Sequence, residues 1–191
     1  MKGLRLFVAI NLDPSLKASL AEIQARLKAT QAPVSWVKPE QLHLTLKFLG
    51  EVAEATLPAL RDTLGRCLAE VSAFSLSFSQ LGTFPPKGTP RVIWMGVSEG
   101  GQEVEKLHGR IEEALHPLGF PREDRPLHPH LTLGRVKGAR HLQLLLEHLH
   151  STEVEELGRM RVQCVDLMRS ELHPQGAIYT LVHRVPLKGE G

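Results

Sequence analysis

Two short stretches of the sequence carry the residue types best suited to chemistry. Residues 43–46 read His-Leu-Thr-Leu, and residues 130–133 repeat the same four letters. The flanks of both copies favour strands, in which successive side chains point to opposite faces. The histidine and the threonine of each copy then share one face, and the two leucines share the other. Each copy therefore predicts an imidazole beside a hydroxyl, on a strand whose apolar face fixes it to a core.

The two histidines, His43 and His130, suit general acid–base catalysis because an imidazole titrates near neutral pH. One must be neutral to take a proton from water, and the other must be charged to give one to a leaving oxygen. The hydroxyls of Thr45 and Thr132 can donate hydrogen bonds to the non-bridging oxygens of an anion. With two facing strands, all four side chains would surround one cavity. This set favours displacement at phosphorus over peptide hydrolysis, and the sequence has no nucleophile elbow or glycine-rich phosphate loop.

Residues beside the motifs are further candidates for contact with a substrate. Strict alternation places Lys47 on the face of the first motif histidine, where its ammonium could meet phosphate, and turns Phe48 toward the core. The same alternation places Arg135 on the face opposite the second motif histidine, so that only a β-bulge or a strand end would turn it inward. Arg91, at the entry to a strand, is another candidate for an anion contact.

A metal site is the competing interpretation of the second motif. His128 and His130 stand two residues apart and could both ligate a metal ion. Such a site would need carboxylates or cysteines that converge on it, yet the nearest acids, Glu123 and Asp124, belong to a loop. The two cysteines lie far apart in the chain and lack metal-binding spacing. The sequence therefore predicts no metal site.

The elements that must position the motifs recur in the same order. Periodicity predicts strand, helix, motif strand, helix and strand within residues 4–84, and the same five elements within residues 91–171. A proline-rich loop separates these halves, and a closing strand spans residues 177–187. We predict one α+β domain over residues 1–191, in which two similar lobes with antiparallel sheets and outer helices are related by a pseudo-twofold axis, with the cleft between them. A doubly wound parallel sheet is disfavoured, because a tight turn joins the last strands.

Composition limits the class of protein. The 191 residues are 42% hydrophobic and 23% charged, which is ordinary for a globular protein. A net charge of +2 is too small for a protein that coats duplex DNA but suits a local site for an anionic ligand. The apolar runs are too short for a signal sequence or a membrane span. We therefore expect a cytoplasmic protein that makes no membrane contact.

Longer stretches around the motifs carry a family resemblance. They comprise residues 5–10, 36–50, 82–85, 91–94, 129–135, 169–170 and 179. Over nearly its whole length the chain resembles the 2H phosphoesterases, in particular the RNA 2′,3′-cyclic phosphodiesterases historically called 2′-5′ RNA ligases. The resemblance implies a two-lobed α+β fold, no cofactor, and opening of a cyclic phosphate at an RNA 3′ end to leave a 2′-phosphate. By motif, His43 would give a proton to the leaving 3′ oxygen, His130 would activate water, and Thr45 and Thr132 would hold the phosphate.

Two other functions remain open at this point. One is reversible 2′-5′ ligation, the same chemistry run backward with an RNA 5′-hydroxyl in place of water. The other is a non-catalytic module that binds RNA ends, which the intact histidine and threonine pairs disfavour. The expected partner is RNA with a 2′,3′-cyclic phosphate end, and tRNA fragments, short oligonucleotides and small cyclic phosphates all share that group. A monomer is expected.

Overall fold

The computed structural model describes residues 3–154 and 157–189, and its α+β class is the one predicted. Within each of the two sheets, all the pairings between strands are antiparallel. The strands, in chain order, are β1 (Leu4–Asn11), β2 (Val34–Trp36), β3 (His43–Val52), β4 (Phe74–Phe84), β5 (Val92–Glu99), β6 (His130–Val136), β7 (Arg159–Val162), β8 (Cys164–Glu171) and β9 (Ile178–Pro186).

Each helix buries one apolar stripe against the sheets. In the first helix, Pro14 occupies the first turn, where a missing N–H costs nothing, and leucines at helical spacing such as Leu16 and Leu20 are buried. The helices are α1 (Pro14–Lys28), α2 (Leu57–Leu68), α3 (Gly101–Leu115) and α4 (Leu142–Ser151), with 3-10 turns at Pro39–Gln41, Glu54–Thr56 and His116–Leu118. Within the described residues, no helix is both long and apolar enough to cross a bilayer.

The sheets do not coincide with the two halves of the sequence. The first sheet has the order β3-β1-β8-β9, and the second has the order β2-β6-β5-β4-β7. Thus the order β3-β1-β8 matches the order β6-β5-β4. In each half of the sequence, however, the last of these strands belongs to the sheet formed mainly by the other half. A short connection joins β4 to β5, and strands so joined tend to pair with each other. Residues 4–84 and 91–171 are therefore each divided between both sheets.

The last strand predicted within residues 91–171 is two strands in the structure. Its first part, β7, pairs with β4 in the second sheet, whereas β8 pairs with β1 and β9 in the first. The break at Gln163 lets the chain cross from one sheet to the other. The closing strand β9 then extends the first sheet and lies within the predicted bounds.

Strand β3 contains a β-bulge at the last residue of its motif. Thr45 and Lys47 pair with adjacent residues of β1, so that Leu46 is an extra residue between them. An extra residue reverses the alternation of the side chains that follow it, here as far as a second extra residue at Leu49. As a result Leu46 and Lys47 are both buried, and Phe48 turns outward.

Strand β6 contains the same bulge at the equivalent place. Thr132 and Gly134 pair with adjacent residues of β5, so that Leu133 is the extra residue. Leu133 and Gly134 are both buried, and Arg135 is exposed. The two motif strands therefore share one backbone design, which sets the direction of the side chains beyond the motif.

Candidate active site

The motif strands contact each other and border a cavity of about 310 Å³. The four motif side chains all line it, because the two histidines and two threonines precede the bulges and keep the alternation that the sequence predicts. The structure thus brings together His43, Thr45, His130 and Thr132. The remaining lining residues are Val37, Gln41, Leu46, Phe48, Glu123, Leu127, Arg135 and Tyr179.

Both motif imidazoles are oriented by the same local contact. Nδ1 of His43 lies 2.7 Å from the carbonyl oxygen of Gln41, and Nδ1 of His130 lies 2.6 Å from that of His128. A carbonyl oxygen can only accept a hydrogen bond, so Nδ1 carries the proton in each ring. The Nε2 atoms remain available to accept or donate a proton. Each ring is therefore prepared for proton transfer, and the carbonyl that orients it lies two residues earlier in the chain.

The two imidazoles differ in their surroundings. The ring of His43 packs against Phe7 at a centroid distance of 4.9 Å and meets Tyr179 edge-on at 5.1 Å. The ring of His130 meets Phe84 edge-on, also at 5.1 Å. Burial lowers the pKa of His43; the hydrogen bond to the Gln41 carbonyl opposes this, and the nearby Lys17 ammonium adds to it. These surroundings therefore shift His43 toward its neutral form.

The prediction that Lys47 contacts phosphate is wrong. Lys47 is only 2% exposed and lies outside the cavity, because the bulge at Leu46 turns it toward the core. Its ammonium forms a salt bridge with Glu112 of α3 and donates a hydrogen bond to the carbonyl of Pro121 at 2.8 Å. A buried lysine needs such partners, since an unpaired buried charge is costly.

The same bulge overturns the expectation for Phe48. This ring is 64% exposed and lines the cavity instead of facing the core. Arg135, for which the sequence required a bulge, does face the cavity through the bulge at Leu133. Arg91 precedes β5 and lies outside the cavity, where its backbone bonds to Phe84 and Val136. Phe48 and Arg135 thus occupy equivalent positions of the two strands.

Two buried polar side chains that the sequence analysis missed hold the bulges. Nε2 of Gln24 in α1 donates to the carbonyl of Leu133 at 2.9 Å and to that of Val37 at 2.8 Å. Nδ1 of His108 in α3 lies 2.9 Å from the carbonyl of Leu46. Both stand on the apolar faces of their helices and are buried. A polar residue in an apolar stripe was the signal available in the sequence, because such a residue needs a buried partner.

The metal interpretation gains nothing from the structure. Within residues 3–154 and 157–189, no group of three or more His, Cys, Asp or Glu side chains is arranged to hold a metal ion. His128 is exposed, and its carbonyl orients His130. Glu123 lines the cavity but belongs to the loop that closes one side of it.

Known proteins resemble this chain along almost its full length. A family model described as the 2′-5′ RNA ligase superfamily matches residues 12–174. The RNA 2′,3′-cyclic phosphodiesterase of Methanothermobacter thermautotrophicus is 40% identical over 176 residues, which cover 92% of this chain and 95% of that protein. A crystal structure from Thermus thermophilus is 30% identical, with a TM-score of 0.80 over 98% of this chain and 100% of the other. Escherichia coli LigT complexed with 3′-AMP is 26% identical, with a TM-score of 0.78 and coverage of 97% and 98%.

Proposed function

The chain belongs to the 2′-5′ RNA ligase superfamily, and on that basis we propose that it hydrolyses RNA 2′,3′-cyclic phosphodiester ends to 2′-phosphomonoesters. The observation that carries the proposal is the single cavity lined by both motif histidines and both motif threonines. The name of the Methanothermobacter relative and the 3′-AMP in the LigT complex agree with a site for RNA ends.

The proposed reaction needs one proton acceptor and one proton donor. Nε2 of His130 takes a proton from water as the water oxygen bonds to phosphorus. The bond between phosphorus and the 3′ oxygen breaks, and Nε2 of His43 gives that oxygen a proton. The product is a 2′-phosphate beside a free 3′-hydroxyl. The roles of the two histidines follow the family resemblance, and two imidazoles with the same orientation support the acid–base scheme.

The threonines are proposed to stabilise the negative charge on the non-bridging phosphate oxygens. In the displacement, negative charge is spread over the non-bridging oxygens, and oriented donors lower the barrier. The hydroxyls of Thr45 and Thr132 line the cavity beside the histidines of their strands. The phosphate held there also supplies the anion that returns the charged form of His43, whose pKa burial lowers in the free protein.

The two ends of the cavity suit different parts of the substrate. At the β3 end, the exposed ring of Phe48 offers a surface for stacking a base. At the β6 end, the guanidinium of Arg135 offers donors for a phosphate. We place the terminal base toward Phe48 and the negatively charged backbone toward Arg135. This placement gives the nearly symmetric site a direction.

Ligation is the second candidate, and the description of the family model favours keeping it. An RNA 5′-hydroxyl would replace water: His130 would take its proton as its oxygen bonds to phosphorus, and His43 would protonate the leaving 3′ oxygen, which gives a 2′-5′ linkage. Incubating the cyclic end with a second RNA that bears a 5′-hydroxyl, and scoring joined product against hydrolysed product, separates the two outcomes.

The test is a product assay on an oligonucleotide with a 2′,3′-cyclic phosphate end, in excess chelator. We expect turnover, and a product that resists a phosphatase specific for 3′-phosphates but releases phosphate to a non-specific one. The double variant H43A/H130A is the control for contaminating activity. Release of phosphate by the 3′-specific phosphatase would show that the ring opens in the opposite direction, to a 3′-phosphate. Activity that returns only when metal is added would contradict the metal-independent mechanism.

A further inference from the structure

A buried ion pair joins three segments next to the cavity. Lys47 of β3 pairs with Glu112 of α3, and the same ammonium donates to the carbonyl of Pro121 at 2.8 Å. The second carboxylate oxygen of Glu112 accepts from the backbone N–H of Glu123 at 2.9 Å. The pair therefore has contacts with the loop from both of its charged groups.

The loop that the pair holds is a wall of the cavity. Glu123 and Leu127 both line the cavity and belong to the segment 121–129, which runs into the second motif strand. In the described part of the chain this segment has no helix or strand of its own before His130. Lys47 and Glu112 make the buried contacts that attach this segment near β3, and Arg122 adds an exposed ion pair with Glu113 of α3.

We propose that Lys47 and Glu112 are positioning residues, which hold segment 121–127 as the wall that receives the nucleoside. This inference rests on the proposed function and deepens it. Lys47 directly precedes Phe48 in β3, and the exposed Phe48 ring lines the same cavity as Glu123 and Leu127 of the anchored loop. Leu127 adds apolar surface there, and the carboxylate of Glu123 accepts hydrogen bonds from donor groups of a nucleoside. Neither suits a phosphate, whereas both suit a sugar and base.

The position of the wall then affects recognition of the nucleoside more than chemistry at phosphorus. The four motif side chains stay on β3 and β6, whose bulges are held separately by His108 and Gln24. Loss of the ion pair removes both buried contacts of the loop, while the contacts of His108 and Gln24 remain. A substrate with a base is expected to suffer, and one without a base is expected to suffer less.

The experiment compares two substrates in one set of variants. One is adenosine 2′,3′-cyclic phosphate, and the other is its base-free analogue, 1,4-anhydroribitol 2,3-cyclic phosphate. The readout is kcat/KM for the adenosine substrate divided by kcat/KM for the base-free analogue. This ratio does not depend on the fraction of protein that is folded and active. The double variant K47M/E112L removes both charges together, so no unpaired charge remains buried. We expect its ratio to fall about fivefold or more.

The matched control is R122A/E113A. Arg122 and Glu113 form an exposed ion pair at 2.7 Å between the same loop and the same helix, and its loss should leave the ratio unchanged. E112Q, which keeps one acceptor oxygen, should be intermediate, and it replaces the double variant if that one does not fold. A ratio within twofold of wild type in K47M/E112L or its replacement, or an equal fall in the control, overturns the inference. Failure of the wild-type protein to open either cyclic phosphate would instead overturn the proposed function.

Discussion

The two motif strands share a bulge, but the molecule covers the two bulges in different ways. Beyond the bulge of β6 stands Gly134, where a Cβ would lie only 2.6 Å from Cγ1 of Val34 in β2. The covering segment there is a strand, paired through its backbone to β6. Beyond the bulge of β3 stands Lys47, and the covering segment is a loop attached by an ion pair and hydrogen bonds.

The difference shows how a near-symmetric fold makes an asymmetric site. Both covering segments precede the opposite motif strand, so the overall arrangement is twofold. The histidines and threonines, which precede the bulges, are placed alike in both halves. The positions after the bulges differ, with Phe48 in one strand and Arg135 in the other. The proposed chemistry at phosphorus and the proposed directional binding of RNA thus involve different residues of the same strands.

The largest expected effect comes from breaking the symmetric part. His43→Ala and His130→Ala should each lower kcat by about 10²–10⁴-fold, because each removes one proton-transfer group. The double variant should lose less than the product of the single losses, since the two act in one step. Single-turnover rates on a cyclic-phosphate oligonucleotide measure this, and full activity in either single variant would disprove the two-histidine mechanism.

The next largest effect is expected on the free energy of unfolding, at the ion pair that attaches the covering loop to β3. Lys47→Met leaves Glu112 as a buried charge without its partner, and should lower the free energy of unfolding by about 3–5 kcal/mol. The double variant K47M/E112L should recover most of that loss, because no charge is then buried. Urea unfolding of wild type, single and double variants gives the comparison. A double variant no more stable than K47M would show that packing, not charge, dominates at this site.

A smaller effect on stability is expected where β2 covers the bulge of β6. Gly134→Ala introduces a Cβ 2.6 Å from Val34 and 3.0 Å from the ring of Trp36, so β2 must shift, at a cost of about 1–3 kcal/mol. Gly65→Ala is the matched control, because it lies in α2 with nothing within 4 Å of the added Cβ. The control should be neutral or stabilising, as alanine favours helix more than glycine does. Equal stability of the two variants would contradict the close approach of β2.

The mildest change sharpens the comparison between the two imidazoles. Tyr179→Ser opens the edge of the His43 ring to water, so the lowered pKa of His43 should rise toward its ordinary value. An acid is lost as pH rises through its pKa, so with His43 as the acid the alkaline limb of kcat/KM should move to higher pH. A base is lost as pH falls through its pKa, and movement of the acidic limb would therefore exchange the roles of His43 and His130.

Alternation along the strands predicted which motif side chains share the cavity, but it gave the wrong direction for Lys47 and Phe48 after the bulge of β3. His43, Thr45, His130 and Thr132 precede the extra residues, so period-2 reasoning placed them in one cavity. The bulge of β3 could not be predicted, because Leu46 is apolar and suits the core whether or not a bulge follows. The direction of Arg135 was predicted only as conditional on a bulge.

The fold class could be predicted because periodicity and repeated order are local properties of the sequence. The exchange of β4 and β8 between the sheets could not, because strand pairing depends on how the whole chain closes. Gln24 and His108 are an intermediate case. Each is a polar residue in an apolar helical stripe, which indicates a buried partner but does not identify the carbonyl that it binds.

The exchanged strands have a consequence for how the protein reaches its active form. The first sheet needs β8, which follows β1 by more than 150 residues, so its centre cannot be completed until most of the chain is available. Such distant pairing slows folding. A nascent first half leaves β1 with an open edge where β8 later binds, and open edges invite association with other chains. Proteolytic nicking between the halves would leave two fragments that must associate to restore either sheet, so this architecture favours an enzyme that is wholly assembled or wholly inactive.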